Sequence, residues 1–228
     1  MKKLLFASVL GLLFATACIK QDDTTVDAKN YYQAYEVEYN VAKNKTITRA
    51  FFRKNDNSGE FLELTNGAEV RVNGEILSRD SDNSATYYAT FNGHVDTNYY
   101  EYADKVGNIY TNEFYLSEVD PIGFLANEGP YNMFSNYEVE WNGPPVRENE
   151  TVIFQIGYQD GNVKTITINN VGTDYVDLNS RDLMEVGAGN AQMKIFRMIE
   201  HPLEDTNEAG GRVQLIYSSG LVPIEIKD

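Results

Sequence analysis

The chain has 228 residues, of which 19 are Lys or Arg and 34 are Asp or Glu, so its net charge is −15 with neutral histidines. A protein this acidic lacks the basic surface on which binding to nucleic acid or anionic lipid depends. Its single cysteine, Cys18, has no partner for an internal disulfide and rules out cysteine-rich metal sites. Stability must therefore come from packed cores.

The N-terminus has the pattern of an export signal. Lys2 and Lys3 precede an apolar stretch over residues 4–14, and small residues at 15–17 lead directly to Cys18. The stretch is shorter than the roughly 20 residues of a membrane-spanning helix. The segment resembles a bacterial lipobox, although Ala15 stands where leucine is usual. The resemblance implies a signal peptide over 1–17 and a mature chain held to the membrane by acyl groups on Cys18; the alternative is an ordinary signal peptide.

Residues 18–30 are polar and lack aromatic side chains, which predicts a disordered acidic tether. Lys20, Asp22 and Asp23 follow Cys18 closely and resemble a surface-export signal of lipoproteins from Gram-negative anaerobes, with Gln21 interposed. The resemblance implies an outer-membrane protein whose body faces outward. The alternative is a plain linker that faces the periplasm.

The tether also contains a candidate modification site. Asp23, Thr24 and Thr25 resemble the short O-glycosylation pattern of the same bacterial group, which would make Thr24 the acceptor.

One hexapeptide occurs twice, 102 residues apart: YEVEYN begins at Tyr35 and YEVEWN at Tyr137. In each copy aromatic residues and valine alternate with polar residues, which is the period of a half-buried strand. Trp141 is expected to pack in a core. Short apolar strands and Asn-Gly turns follow both copies, and no window shows a helical stripe.

The spacing of the repeat matches the length of an immunoglobulin-like sandwich. The sequence therefore predicts an all-β chain with β-sandwich domains at 31–120 and 134–228, joined by a linker at 121–133. The pattern is similar to tandem immunoglobulin-like modules of surface lipoproteins. That resemblance is architectural and carries no functional residues with it.

Tyrosines supply the only candidate contact residues. In each of the pairs Tyr87-Tyr88 and Tyr99-Tyr100, adjacent strand residues face opposite sides, so one ring should leave the core. An exposed tyrosine can stack on a sugar or anchor a protein contact, because it offers apolar area together with a hydroxyl. Tyrosine also simply suits half-buried strands.

Catalytic and metal-binding patterns are absent from the sequence. The two histidines, His94 and His201, belong to no metal-spaced cluster, and there is no nucleophile elbow or phosphate-binding glycine loop. We therefore expect no catalytic residue, cofactor or metal site.

The resulting prediction is a non-catalytic surface lipoprotein that binds a glycan or protein at the cell surface and contacts the membrane only through Cys18. Two alternatives stay open. One is a glycan-binding accessory of a polysaccharide-uptake system. The other is a fimbrial or envelope-assembly subunit that exchanges its last strand.

Overall fold

The computed structural model describes residues 21–22, 26–65, 67–80, 85–125, 129–158 and 161–228. Within these ranges the N-terminal half contains the strands β1 (Gln21–Asp22), β2 (Tyr31–Asn40), β3 (Lys45–Lys54), β4 (Phe61–Glu63), β5 (Glu69–Val72), β6 (Glu75–Ile76), β7 (Ser78–Arg79), β8 (Thr86–Asn92), β9 (Thr97–Ala103) and β10 (Ile109–Tyr115). The C-terminal half contains β11 (Gly123–Phe124), β12 (Tyr131–Asn132), β13 (Tyr137–Asn142), β14 (Glu150–Gly157), β15 (Val163–Ile168), β16 (Tyr175–Leu178), the helix α1 (Ser180–Val186), β17 (Gly189–Pro202), β18 (Gly211–Ser218) and β19 (Val222–Lys227).

The strands form three sheets. Sheet A has twelve strands among the described residues and the central order β1-β4-β3-β2-β18-β17-β14-β15. In addition β8 pairs with β3 and β7 with β8, whereas β19 pairs with β17 and β12 with β19. Sheet B has the order β10-β9-β5-β6, and sheet C has the order β11-β13-β16. Sheets B and C pack against the same face of sheet A, so the predicted all-β sandwich fold is confirmed.

Two hydrophobic cores lie side by side on the face of sheet A that packs against sheets B and C. The first, between sheets A and B, includes Tyr35, Phe52 and Tyr100. The second, between sheets A and C, includes Trp141, Phe154 and Ile195. The expectation that Trp141 packs in a core is confirmed; its indole nitrogen also donates to the carbonyl of Pro144 at 3.2 Å.

The long strand β17 serves both cores. Ala191, Met193 and Ile195 at its beginning pack in the second core, whereas Ile199 near its end packs in the first. The next strand, β18, runs parallel to β2 in an unbroken register from Gly211 opposite Gln33 to Ser218 opposite Asn40. Strands of the C-terminal half therefore complete the sandwich of the N-terminal half.

A fully buried arginine separates the two cores. The Arg197 guanidinium donates to the Pro144 carbonyl and to Glu150 Oε2, the latter at 3.2 Å. Arg147 bonds the other Glu150 oxygen and also lies 2.6 Å from Asp120. Because each buried charge has an opposite charge beside it, this cluster ties the loops at 120 and 144–150 to the shared strand.

Parts of the predicted tether and linker belong to the folded body. Val26 and Ala28 are buried, and the Lys105 amine donates to the Val26 carbonyl at 2.5 Å. Ile122 and Tyr131 of the 121–133 segment pack in the second core. The division into domains at 31–120 and 134–228 stays a prediction. Sheet A contains strands from both ranges.

The two hexapeptides occupy different environments. In the copy within β13, Val139 and Trp141 are buried and the polar residues are exposed, as predicted. In the copy within β2, the half-buried prediction is wrong, because Glu36 and Glu38 are also buried. β2 lies between β3 and β18 inside sheet A, and Arg49 of β3 pairs with both carboxylates.

That environment affects the two acids differently. Burial raises the pKa of Glu36 despite the adjacent Arg49. Burial also favours the neutral form of Glu38, but Arg49, Lys194 and a hydrogen bond from Asn40 outweigh it and lower the pKa of that carboxyl.

The short helix α1 was not predicted. Asn179 and Asp182 form a capping box at its start, and Leu183 and Val186 face the second core. The Asn-x-x-Asp spacing was the available signal. Seven residues are too few for a stripe of apolar residues to stand out.

The N-terminal half should not fold alone, because Ile199, Leu203, Val213 and Leu215 contribute to its core. Burial of such side chains is worth about 1.5–3 kcal/mol each, so their loss removes roughly 6–12 kcal/mol. This is comparable with the total stability of a domain, about 5–15 kcal/mol. We expect residues 26–120 alone to give circular dichroism and amide NMR spectra of an unfolded chain. Residues 121–228, which contain all of the second core, should give dispersed spectra. A folded 26–120 fragment would contradict the shared-sheet interpretation.

Candidate functional site

The outer face of sheet B carries the most exposed group of tyrosines. In β9 the even-numbered residues Asn98, Tyr100 and Tyr102 are buried, so Thr97, Tyr99 and Glu101 point away from the core. Tyr99 is 41% exposed, whereas Tyr100 is fully buried and stacks on Tyr35 with ring centroids 4.3 Å apart.

The neighbouring strand β10 adds a second tyrosine to this face. Tyr115 pairs with Thr97, and Glu113 pairs with Tyr99, so the two tyrosines are diagonal neighbours on adjacent strands. Tyr115 is 42% exposed. We call this surface the tyrosine face; its residues are Thr97, Tyr99, Glu101, Thr111, Glu113 and Tyr115.

A tight turn fixes the position of Tyr99. Asn73 and Gly74 both have positive φ, of 50° and 83°, which is the backbone that the Asn-Gly pair predicts between β5 and β6. The Asn73 amide donates to the Tyr99 carbonyl and the Asn73 side chain accepts from the Tyr99 amide, both at 2.9 Å. The ring therefore stands on a rigid strand, which reduces the entropy that binding would cost.

The charged residues of the tyrosine face, Glu101 and Glu113, are both acidic. Glu113 raises the pKa of the Tyr115 phenol, so its hydroxyl stays a hydrogen-bond donor at neutral pH. Glu101 stands opposite Arg71 of β5. The face thus presents two aromatic rings with two carboxylates, and Arg71, which pairs with Glu69 at 2.8 Å, lies beside it.

A groove of about 540 Å³ lies beside the tyrosine face. It separates β10 from the loop after β17, and its lining includes Glu113, Tyr115 and His201. His201 Nε2 lies 3.1 Å from a Glu118 oxygen.

The loop beyond this groove is pinned to the edge of β10. The Asn112 side chain accepts from the amides of Glu204 and Asp205 and donates to the Asp205 carbonyl. The Asp205 carboxylate accepts from the Thr111 amide at 2.8 Å. The Thr111 amide at this edge of β10 is therefore occupied, and the outer face of the strand is open to a ligand.

The prediction that one ring of each tyrosine pair leaves the core is confirmed. Tyr88 and Tyr99 are each 41% exposed, whereas Tyr87 and Tyr100 are buried. The two exposed rings, Tyr88 and Tyr99, do not lie together. Tyr88 of β8 is on the outer face of sheet A, whereas Tyr99 of β9 is on the outer face of sheet B. Tyr115 was not selected from sequence, although its buried neighbour Phe114 gives it the same alternating environment.

The predicted anchoring and modification residues Cys18, Lys20, Asp23 and Thr24 lie outside the described residues. Asp22 lies in β1, whose backbone pairs parallel with β4 opposite Glu63. In the described part of the chain, no helix has the length and apolar character needed to cross a membrane. No cluster of three or more His, Cys, Asp or Glu able to hold a metal occurs among the described residues either.

No family model and no curated protein matches the sequence. Solved structures resemble it only distantly. The fibronectin(III)-like modules of Clostridium thermocellum CbhA align over 84% of this chain and 87% of their own, at 11% identity and a TM-score of 0.26. A tetra-tandem repeat from the extending region of a large adhesion protein aligns over 84% of this chain and 49% of its own, at 14% identity and a TM-score of 0.24. The Yersinia pseudotuberculosis adhesin InvE aligns over 85% of this chain and 59% of its own, at 12% identity and a TM-score of 0.22. TM-scores this low carry no argument about function.

Adjacent residues of β9 should differ sharply in their contribution to stability. Tyr100→Ala removes a fully buried ring and should lower the free energy of unfolding by about 3–5 kcal/mol. Tyr99→Ala should lower it by no more than about 1 kcal/mol, because the ring is largely exposed. Urea titration followed by circular dichroism measures both. A large loss for Tyr99→Ala would mean that this ring serves packing rather than contact.

Proposed function

We propose that this protein is a non-catalytic binding module of the cell surface, anchored through Cys18, that contacts its ligand with the tyrosine face. The observation that carries the proposal is the exposure of Tyr99 and Tyr115 on adjacent strands of one rigid sheet. Exposed aromatic rings in a fixed array are characteristic of contact surfaces, because they bury large apolar area at low entropic cost.

The composition of the face favours a ligand with both apolar and hydroxyl surface. A tyrosine ring stacks on the apolar side of a sugar, and neighbouring carboxylates such as Glu101 and Glu113 accept hydrogen bonds from hydroxyl groups. The surface is open, which suits a polymer better than a small molecule that must be enclosed. A glycan at the cell surface is therefore the first ligand to test, with a host or neighbouring protein as the second.

The folded start of the chain supports a close attachment to the membrane. Val26 is buried, and the Asn207 side chain donates to the carbonyls of Ala28 and Tyr31 at 3.0 and 2.8 Å. The backbone of Gln21 and Asp22 already pairs with β4 in sheet A, so only residues 19–20 separate Cys18 from the body, which gives a reach of about 10 Å. An anchor this short holds the first sandwich near the bilayer.

Binding should depend on the tyrosine face and not on tyrosine exposure in general. We expect Y99A/Y115A to weaken binding to an immobilised glycan panel by at least about tenfold, equivalent to about 1.4 kcal/mol. Tyr88→Ala is the matched control, because Tyr88 is equally exposed but lies on the outer face of sheet A. Surface plasmon resonance with the chain from Ile19 to Asp228 measures the difference. If Tyr88→Ala weakens binding and Y99A/Y115A does not, the contact surface is on the other face.

Anchoring should depend on Cys18 alone. Cys18→Ser should move the protein from the membrane fraction to the soluble fraction and abolish labelling by radioactive palmitate.

Protease treatment of intact cells should degrade the body of the native protein while a periplasmic control survives. Protection of the body until the outer membrane is broken would favour a periplasmic location, and the export role of Lys20, Asp22 and Asp23 would then be wrong.

A further inference from the structure

The strand β15 ends sheet A with an open backbone edge. It pairs with β14 over Val163–Ile168, and no strand in the described part of the chain pairs with its other side. The hydrogen bond from the Tyr158 amide to the Asn162 carbonyl, at 3.1 Å, sets the alternation of the ladder. By this alternation the backbone groups of Lys164, Ile166 and Ile168 face β14, and those of Thr165 and Thr167 face outward.

From Thr165 to Ile168 this edge lacks the usual protection against strand pairing. The sequence VKTITI has no proline, and its register with β14 continues without a bulge. Its one charge, Lys164, is held by Asp182 at 2.8 Å and Glu185 at 2.7 Å, and both partners belong to α1. The β-branched residues around it favour the extended conformation.

The strand itself contains no acidic residue, and its Lys164 offsets one of the two α1 carboxylates that contact it, in a chain with a net charge of −15. Other strands at the margins of their sheets carry acidic residues, such as Asp177 in β16 and Glu113 in β10. Repulsion between two copies of this protein should therefore be small along β15 from Thr165 to Ile168, where the strand has no charged side chain.

We propose that β15 pairs antiparallel with β15 of a second copy of this chain, about a two-fold axis at Ile166. In this register each Thr165 stands opposite the partner's Thr167, and the two Ile166 side chains meet. Each Lys164 faces the uncharged Ile168 of the other copy. Cross-strand pairs of β-branched residues are favourable, and no like charges stand opposite each other.

The pairing extends sheet A across two molecules. A contact that rests on one short strand buries little surface, so association in solution should be weak. Anchoring two copies in one membrane would raise their effective concentration to about the millimolar range. The pairing itself does not depend on the ligand or on the tyrosine face.

Sedimentation equilibrium of the chain from Ile19 to Asp228, up to about 1 mM, tests the proposal directly. Thr165→Pro removes one outward amide hydrogen and leaves the ladder with β14 intact, so it should raise the dimer dissociation constant by at least about tenfold. Thr165→Val keeps that amide and the branched side chain, and should change the constant by less than about threefold. Circular dichroism of each variant verifies that it is folded.

A charge pair tests the register. T165K/T167K places like charges opposite each other twice and should weaken dimerisation by at least about tenfold. T165K/T167E places opposite charges there and should restore dimerisation or strengthen it. A native chain that stays monomeric throughout the concentration range overturns the proposal. So does a dimer that is equally stable in T165P and in both charge variants, since it would use another surface.

Discussion

The parallel ladder between β2 and β18 is the interaction on which the rest of the structure depends. It joins a strand near the start of the chain to one near its end, from Gln33–Gly211 to Asn40–Ser218. Through it Val213 and Leu215 enter the first core, and β2 becomes an interior strand with two covered faces. Nearly the whole chain must be gathered before this ladder can form, which predicts slow folding and strong cooperativity.

The long strand β17 pairs with β18 and contributes to both hydrophobic cores, so it connects the two sandwiches rigidly. Its first part lies in the second core and its last part in the first, with Arg197 at the boundary. Arginine is suited to this place, because its guanidinium can satisfy the Pro144 carbonyl and the Glu150 carboxylate together. The tyrosine face on sheet B is thereby held in fixed orientation to β15, which ends sheet A.

Local sequence patterns predicted which tyrosines are exposed but not which of them are neighbours. The alternation of strand residues correctly separated Tyr99 from Tyr100 and Tyr88 from Tyr87. It could not show that Tyr88 and Tyr99 lie on different sheets, nor that Tyr115 is the neighbour of Tyr99. Those relations depend on strand pairing between distant segments, about which the period of a single strand carries no information.

The sequence by itself determined the all-β class, most strand positions, the Asn73-Gly74 turn and the burial of Trp141, because these follow from alternation and backbone preferences over a few residues. The tertiary structure alone decided that the repeated hexapeptide has one half-buried and one fully covered copy, and that sheet A runs through both halves. Glu36 and Glu138 stand at the same position of that repeat, yet only Glu36 is buried. The difference arises from their neighbours, since Arg49 and β18 cover one copy and solvent covers the polar side of the other.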